Sequence, residues 1–124
     1  MKVLLVDDHP FQIKLISTVM QGLGIVHITA ASSSEEALSK LSGKHDFNLI
    51  VLDLHMPGAD VFKFMERLGS LGYTGSLIIA SGQDEEVMHA ASLVAKLRRF
   101  TLLGTVTKPV GAAALSELIS KISR

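Results

Sequence analysis

Lys2-Val3-Leu4-Leu5-Val6-Asp7-Asp8-His9-Pro10 follows Met1 and decides how the rest of the chain is read. A short, nearly all-apolar run leads straight into two carboxylates, as expected of a strand buried on both faces that stops where the charges begin. Pro10 suits the first position of a helix, where its missing N–H has no partner to lose. From there the pattern is helical. Phe11, Leu15, Val19 and Leu23 recur every four residues, Ile16 and Met20 lie beside them, and Gly22 or Gly24 suits the end.

Outward from this unit, the same strand-then-helix alternation repeats. Val26–Ala30 is a weaker strand candidate, and Ser33 three residues before Glu36 is a capping-box start for a helix through Leu41. Asn48–Asp53 reads as a buried strand, Pro57-Gly58 as a turn, and Val61 to Leu68 as a helix. Gly69, Gly72 and Gly75 are expected in a loop before a fourth strand, Leu77–Ser81. A long helix is expected from Asp84 to about Phe100, with Val87, Ala90, Ala91, Val94 and Leu97 on one face. A short fifth strand at Thr105–Thr107 precedes a last helix, Ala112 to Ile122, with Leu115, Leu118, Ile119 and Ile122 inward. Five such units predict an α/β fold with a parallel sheet, helices on both faces and right-handed crossovers. Ligands then bind beyond the carboxyl ends of the strands.

The chain has 124 residues, the size of one domain, so 1–124 is expected to form a single unit that buries roughly two-thirds of its unfolded surface. No cysteine is present, which removes a thiolate nucleophile, a disulfide framework and Cys-ligated metals. Twelve basic and twelve acidic residues balance, against a strongly basic nucleic-acid binder. Val3 to Val6 is too short an apolar run for a signal peptide, and no stretch is long enough to span a bilayer. A soluble, cytoplasmic protein is the expectation.

The chemistry collects at the strand ends. The first ends at Asp7-Asp8, the third in Asp53, the fourth in Ser81, and the fifth leads into Lys108-Pro109. In a parallel sheet these groups share one edge. Clustered carboxylates repel unless a cation neutralises them. An all-oxygen set of this kind suits a hard divalent ion that keeps several waters, typically Mg2+. A metal, an ammonium and a hydroxyl around a central carboxylate would receive a phosphoryl group, and a carboxylate can itself be the nucleophile that forms an acyl phosphate.

On these residues, together with Leu52-Asp53-Leu54-His55-Met56-Pro57-Gly58, Ser81-Gly82 and Thr107-Lys108-Pro109, the chain resembles the receiver domains of two-component response regulators over essentially its whole length. The resemblance implies a flavodoxin-like (βα)5 sandwich with strand order 2-1-3-4-5. It implies that Asp53 accepts a phosphoryl group from a phosphohistidine on a sensor histidine kinase or phosphotransfer protein. Asp8 would bind Mg2+ directly and Asp7 mostly through water, joined by an oxygen of Asp53 and the backbone carbonyl of His55. Ser81 would hydrogen-bond a phosphoryl oxygen and Lys108 would pair with another. Met56-Pro57-Gly58 would shape the loop beside the acceptor, and Lys108-Pro109 would be a cis bond. The domain would be a phosphoacceptor rather than an enzyme. Its responding surface would be the fourth helix, fifth strand and fifth helix, also the surface for a homodimer.

Thr105 stands where the family usually has Tyr or Phe, which puts the usual hydroxyl–aromatic switch in doubt. The stretch from Ser81 to Lys108 is several residues longer than in compact members, the extra length being expected in the fourth helix or the loop after Phe100. With Asp8-His9-Pro10-Phe11-Gln12 and Leu103-Gly104-Thr105, this is similar to receivers that precede EAL-type cyclic-di-GMP phosphodiesterase domains. Val61 replaces a frequent Gly, with only local effects expected. His55 and Gln83 should border the phosphoryl site and tune hydrolysis.

Blander readings stand beside these. Asp7 and Asp8 would also suit the positive end of the first helix, Ser81 a helix cap, and Lys108 open surface. Lys96, Arg98 and Arg99 read as a solvated helix end. The five histidines show no His-x-x-x-His spacing, so no zinc site is expected, and His9 and His55 would border the acidic pocket as bystanders. Two other functions compete: a scaffold or dimerisation module with a vestigial pocket, and a phosphate-ester hydrolase working through an aspartyl phosphate. The hydrolase would need a general acid near the nucleophile, often an Asp two residues on, where this chain has His55.

Overall fold

The computed structural model describes residues 1–42, 46–53, 61–81, 85–98, 100–107 and 110–123. The elements are β1 (Lys2–Val6), α1 (Pro10–Gly22), β2 (His27–Ala31), α2 (Ser34–Leu41), β3 (Leu49–Asp53), α3 (Val61–Ser70), β4 (Ser76–Ser81), α4 (Glu85–Arg98), β5 (Thr101–Thr107) and α5 (Ala112–Ser120), with a 3-10 turn at Lys121–Ser123. The five strands form one sheet in the order β2-β1-β3-β4-β5, and every neighbouring pair is parallel. This is the order that the resemblance implied.

Each strand divides its side chains between two cores, because successive residues point to opposite faces. Leu4, Val6, Ile50, Leu52, Leu77 and Ile79 meet Ala37, Leu41, Phe64, Met65, Leu68, Ala91 and Ala95 from α2, α3 and α4. On the other face Val3, Leu5, Leu49, Val51, Ile78, Ala80 and Val106 meet Ile16 and Met20 of α1 and Leu115 of α5. All five residues of β3 are buried, which is why its first four, Leu49 to Leu52, are apolar without alternation, and only Asp53 at its end is charged. Each of these large side chains contributes about 1.5–3 kcal/mol by leaving water.

Several expectations need correction. Phe11 is 76% exposed, and the inner face of α1 is Ile16 and Met20, with Ile13 and Val19 packed beside them. Residues four apart advance about 40° around a helix, so a strict four-residue recurrence cannot stay on one face. Leu97 is 80% exposed; the buried face of α4 runs through Ala91 and Ala95, with Val94 partly covered. Ala91 and Ala95 share one core cluster with Phe64, Leu68 and Phe100. Gly69 belongs to α3 and not to the loop after it. β2 starts at His27, leaving Val26 in solvent.

The fifth strand is the largest departure. β5 spans seven residues and begins directly after Phe100, so part of the length expected in a helix or loop is strand. Leu102 pairs with Leu77 and Gly104 with Ile78, which makes Leu103 an extra residue in a bulge. The bulge keeps Thr105 opposite Ile79 and Thr107 opposite Ser81.

The start of α2 follows the expected cap with one difference. Ser33 Oγ accepts from the Glu36 backbone N–H at 3.0 Å. Glu36 reaches back to Ser32, accepting from its N–H at 3.2 Å and its hydroxyl at 2.8 Å. These bonds hold the Glu36 carboxyl below the ordinary carboxylate range.

Candidate functional site

The parallel register brings the strand ends into line. Val6 of β1 pairs with Leu52 of β3, so Asp7 and Asp53, each the next residue, emerge side by side. Asp53 pairs with Ala80, which puts Ser81 one step further on β4 and opposite Thr107 of β5. The Asp7 backbone N–H donates to the Ala31 carbonyl at 3.0 Å, extending the β1–β2 ladder one residue and fixing Asp7 at the sheet edge.

Asp7 is fully buried and Asp53 is 2% exposed, while Asp8 lies partly open to solvent. Burial of carboxylates in an apolar sheet edge is costly unless hydrogen bonds or cations compensate. Asp7 Oδ1 accepts from the His9 backbone N–H at 2.9 Å. His9 is the N-cap of α1, with extended backbone (φ −101°, ψ 110°) ahead of Pro10 and no capping bond from its side chain. Its ring lies against the acids instead: Nδ1 is 2.8 Å from Asp8 Oδ1 and 3.4 Å from Asp7 Oδ1.

One donor atom each from Asp7, Asp8, His9 and Asp53 falls within 4.8 Å of the others. Three carboxylates in so small a volume match the donor chemistry of a hard divalent cation. The residues present therefore fit Mg2+. Of the residues expected at the site, Asp7, Asp8 and Asp53 come together. Ser81 ends β4 at the same edge, and its side chain is outside the description. His55, Gln83, Lys108, Pro109 and the Met56-Pro57-Gly58 loop lie outside the described residues. Thr105 is half-buried in β5, level with Ile79. His9 joins the cluster more closely than the sequence suggested. The signal for it was its place between the acidic pair and a proline at the start of a helix.

Among the described residues no helix is long and apolar enough to cross a membrane. A family profile described as the response regulator receiver domain matches residues 3–120. The two-component response regulator ORR22 of Oryza sativa subsp. indica is 32% identical over 90 residues, which are 71% of this chain and 13% of that protein. The chain thus spans only a small part of that relative's length. Chemotaxis protein CheY-3 of Vibrio cholerae is 30% identical over 126 residues, covering 98% of this chain and 91% of the relative. The crystal structure of a response regulator from Colwellia psychrerythraea superposes with a TM-score of 0.77 at 28% identity, covering 99% of this chain and 97% of that one. With the profile running almost from end to end and the acidic cluster at the carboxyl ends of β1 and β3, the chain belongs to the response regulator receiver domain family of two-component signalling proteins.

Proposed function

We propose that residues 1–124 act as one phosphoacceptor unit in which Asp53 receives a phosphoryl group in a Mg2+-dependent reaction. The donor is a phosphohistidine on a sensor histidine kinase or phosphotransfer protein. The observation that carries this reading is the nearly complete burial of Asp53 at the end of β3, within 4.8 Å of donor atoms from Asp7 and Asp8. A carboxylate oxygen of Asp53 forms the bond to phosphorus as the phosphorus–nitrogen bond of the donor breaks, and the electron pair of that bond goes to the imidazole. Asp7, Asp8, Asp53 and the backbone carbonyl of His55 would hold Mg2+, which when bound offsets negative charge gathering on the phosphoryl oxygens. The Ser81 hydroxyl donates to one phosphoryl oxygen and the Lys108 ammonium pairs with another.

The aspartyl phosphate adds charge and acceptor oxygens to the sheet edge, and these bias the surface formed by α4, β5 and α5. The domain assists its own phosphorylation and dephosphorylation and turns over no separate substrate. That surface serves a second copy of the chain, or an output domain of the EAL type in a longer parent protein.

The test is intact mass after incubation with Mg2+ and acetyl phosphate, with Asp53→Asn in parallel. The expected result is a gain of one phosphoryl group by the wild type alone, abolished by chelation of the metal. A wild type that stays unmodified while another receiver reacts in the same tube would overturn the reading and favour the scaffold module.

A further inference from the structure

We propose that His9 Nδ1 is a further metal donor at the acidic cluster, so that the site takes a borderline transition ion of the Fe2+-to-Zn2+ group as well as Mg2+. The inference rests on the metal reading above and adds a residue and an ion class to it.

The separations on the page are those of donors around one ion. Neighbouring donors on an octahedral ion with bonds of about 2.1 Å lie about 3.0 Å apart, and opposite donors about 4.2 Å. His9 Nδ1 is 2.8 Å from Asp8 Oδ1 and 3.4 Å from Asp7 Oδ1. The whole set, with Asp53, falls within 4.8 Å. The backbone holds the ring there. Pro10 starts α1, His9 is extended at the cap, and its N–H is tied to Asp7 Oδ1 at 2.9 Å. The backbone from which the imidazole projects is thus tied to the first acid by a hydrogen bond that closes a ring of only a few chain atoms. No other described residue adds a nitrogen donor to this cluster.

Nitrogen changes which ions are preferred. Mg2+ gains little from an imidazole and keeps water in its place, whereas imidazole suits iron, nickel, copper and zinc. The ring has room for the required proton arrangement. Its side chain is 58% exposed, which leaves room for Nε2 to keep a hydrogen while the Nδ1 lone pair goes to the ion. A hydrogen on Nδ1 would instead be donated to Asp8. That hydrogen bond is the rival explanation of the 2.8 Å contact, and it predicts no nitrogen on a bound ion.

Co2+ is the probe, added to the intact chain. Two readouts are taken: proton NMR in water for the strongly shifted, exchangeable N–H of a metal-bound imidazole, and calorimetric affinity for Co2+ and for Mg2+. The wild type should show the shifted N–H. His9→Ala should lose it and bind Co2+ about tenfold or more weakly, with Mg2+ affinity changed less than twofold. His9→Gln should give the same split with the polar character of the position kept, and His89→Ala, on the exposed side of α4, should retain the signal. Co2+ binding without the shifted N–H, or a signal and affinity that survive His9→Ala, overturns the proposal while leaving the Mg2+ site intact. Failure of the wild type to bind either ion takes down the metal reading itself, and this inference with it.

Discussion

Gly104 lies inside β5, at a position that tolerates an added methyl group poorly. Its φ of +152° lies in a region that L side chains rarely adopt, and a Cβ built there would lie 2.9 Å from Leu118 Cδ2. Leu103 and Gly104 both answer to Ile78 across the bulge, and Leu118 of α5 occupies the space that a side chain at 104 would need. Gly104→Ala therefore meets two penalties. Holding a non-glycine residue in such a conformation costs about 1–3 kcal/mol. The half-buried end of Leu118 must also move, which is the smaller effect because it is flexible. Against this, alanine has fewer unfolded conformations to lose, which returns about 0.4–1 kcal/mol. The net expectation is a loss of about 1–2 kcal/mol, or a fall in Tm of about 4–8 °C for a domain of this size. Circular dichroism should show the urea midpoint shifting with m unchanged. Gly22→Ala is the control. It ends α1 with nothing within 4 Å of a new Cβ, so it should be neutral or slightly stabilising. A Gly104→Ala protein as stable as the wild type would refute the reasoning, because the bulge would then not depend on glycine.

The remaining expectations concern single contacts. Tyr73, the one tyrosine in the chain, donates its buried hydroxyl to the Ser76 carbonyl at 2.7 Å, and burial pushes its ionisation well above that of a free phenol. Folded protein should therefore show no phenolate absorbance near pH 10, and stability should fall as pH rises above about 10, where only the unfolded chain gives up this proton; Tyr73→Phe should remove that slope and cost about 1 kcal/mol at neutral pH. Glu66 pairs with Arg98 between α3 and α4 with both side chains nearly half exposed, so Glu66→Gln should change unfolding free energy by at most about 1 kcal/mol. Arg98→Ala should cost more in the same urea titration, because the arginine stem lies over Gly69, where a Cβ would come within 2.8 Å of Arg98 Cδ. Glu36 should titrate by NMR below the ordinary carboxylate range, its share of stability being present at neutral pH and lost as pH falls through its midpoint. Ser32→Ala should move that midpoint back up.

What was legible in the sequence follows from what the sheet does to the chain. A strand buried on both faces must be apolar throughout, and it must stop being so where the chain leaves the sheet. Lys2–Val6 and Leu49–Asp53 show that stop as a carboxylate, so both the strands and their functional ends could be read. The parallel register then aligns those ends with no further information. Helix faces were harder. Leu97 outranks Ala95 in hydrophobicity, yet α4 turns the alanine into the core that holds Phe64 and Phe100 and leaves the leucine in solvent. Burial there is decided by the space left by neighbours distant in the chain, which no local pattern records.

β5 and His9 were read only in part, for a different reason: each hides a change of backbone direction inside an ordinary run of residues. Gly104 splits Thr101–Thr107 and reads as a break, when it is the one residue that lets the strand continue past the bulge. Without that extra residue, Thr107 would fall out of step with Ser81, and the two strand ends that flank the acidic cluster would no longer be level. His9 reads as a bystander at the border of the acidic pocket, between two acids and a proline. The proline fixes the helix start, the extended cap turns the ring back over the strand end, and a residue that belongs to neither element comes to lie among the carboxylates. In both cases the local irregularity serves the strand ends: one holds the register on which the site depends, and the other adds a nitrogen to its oxygens.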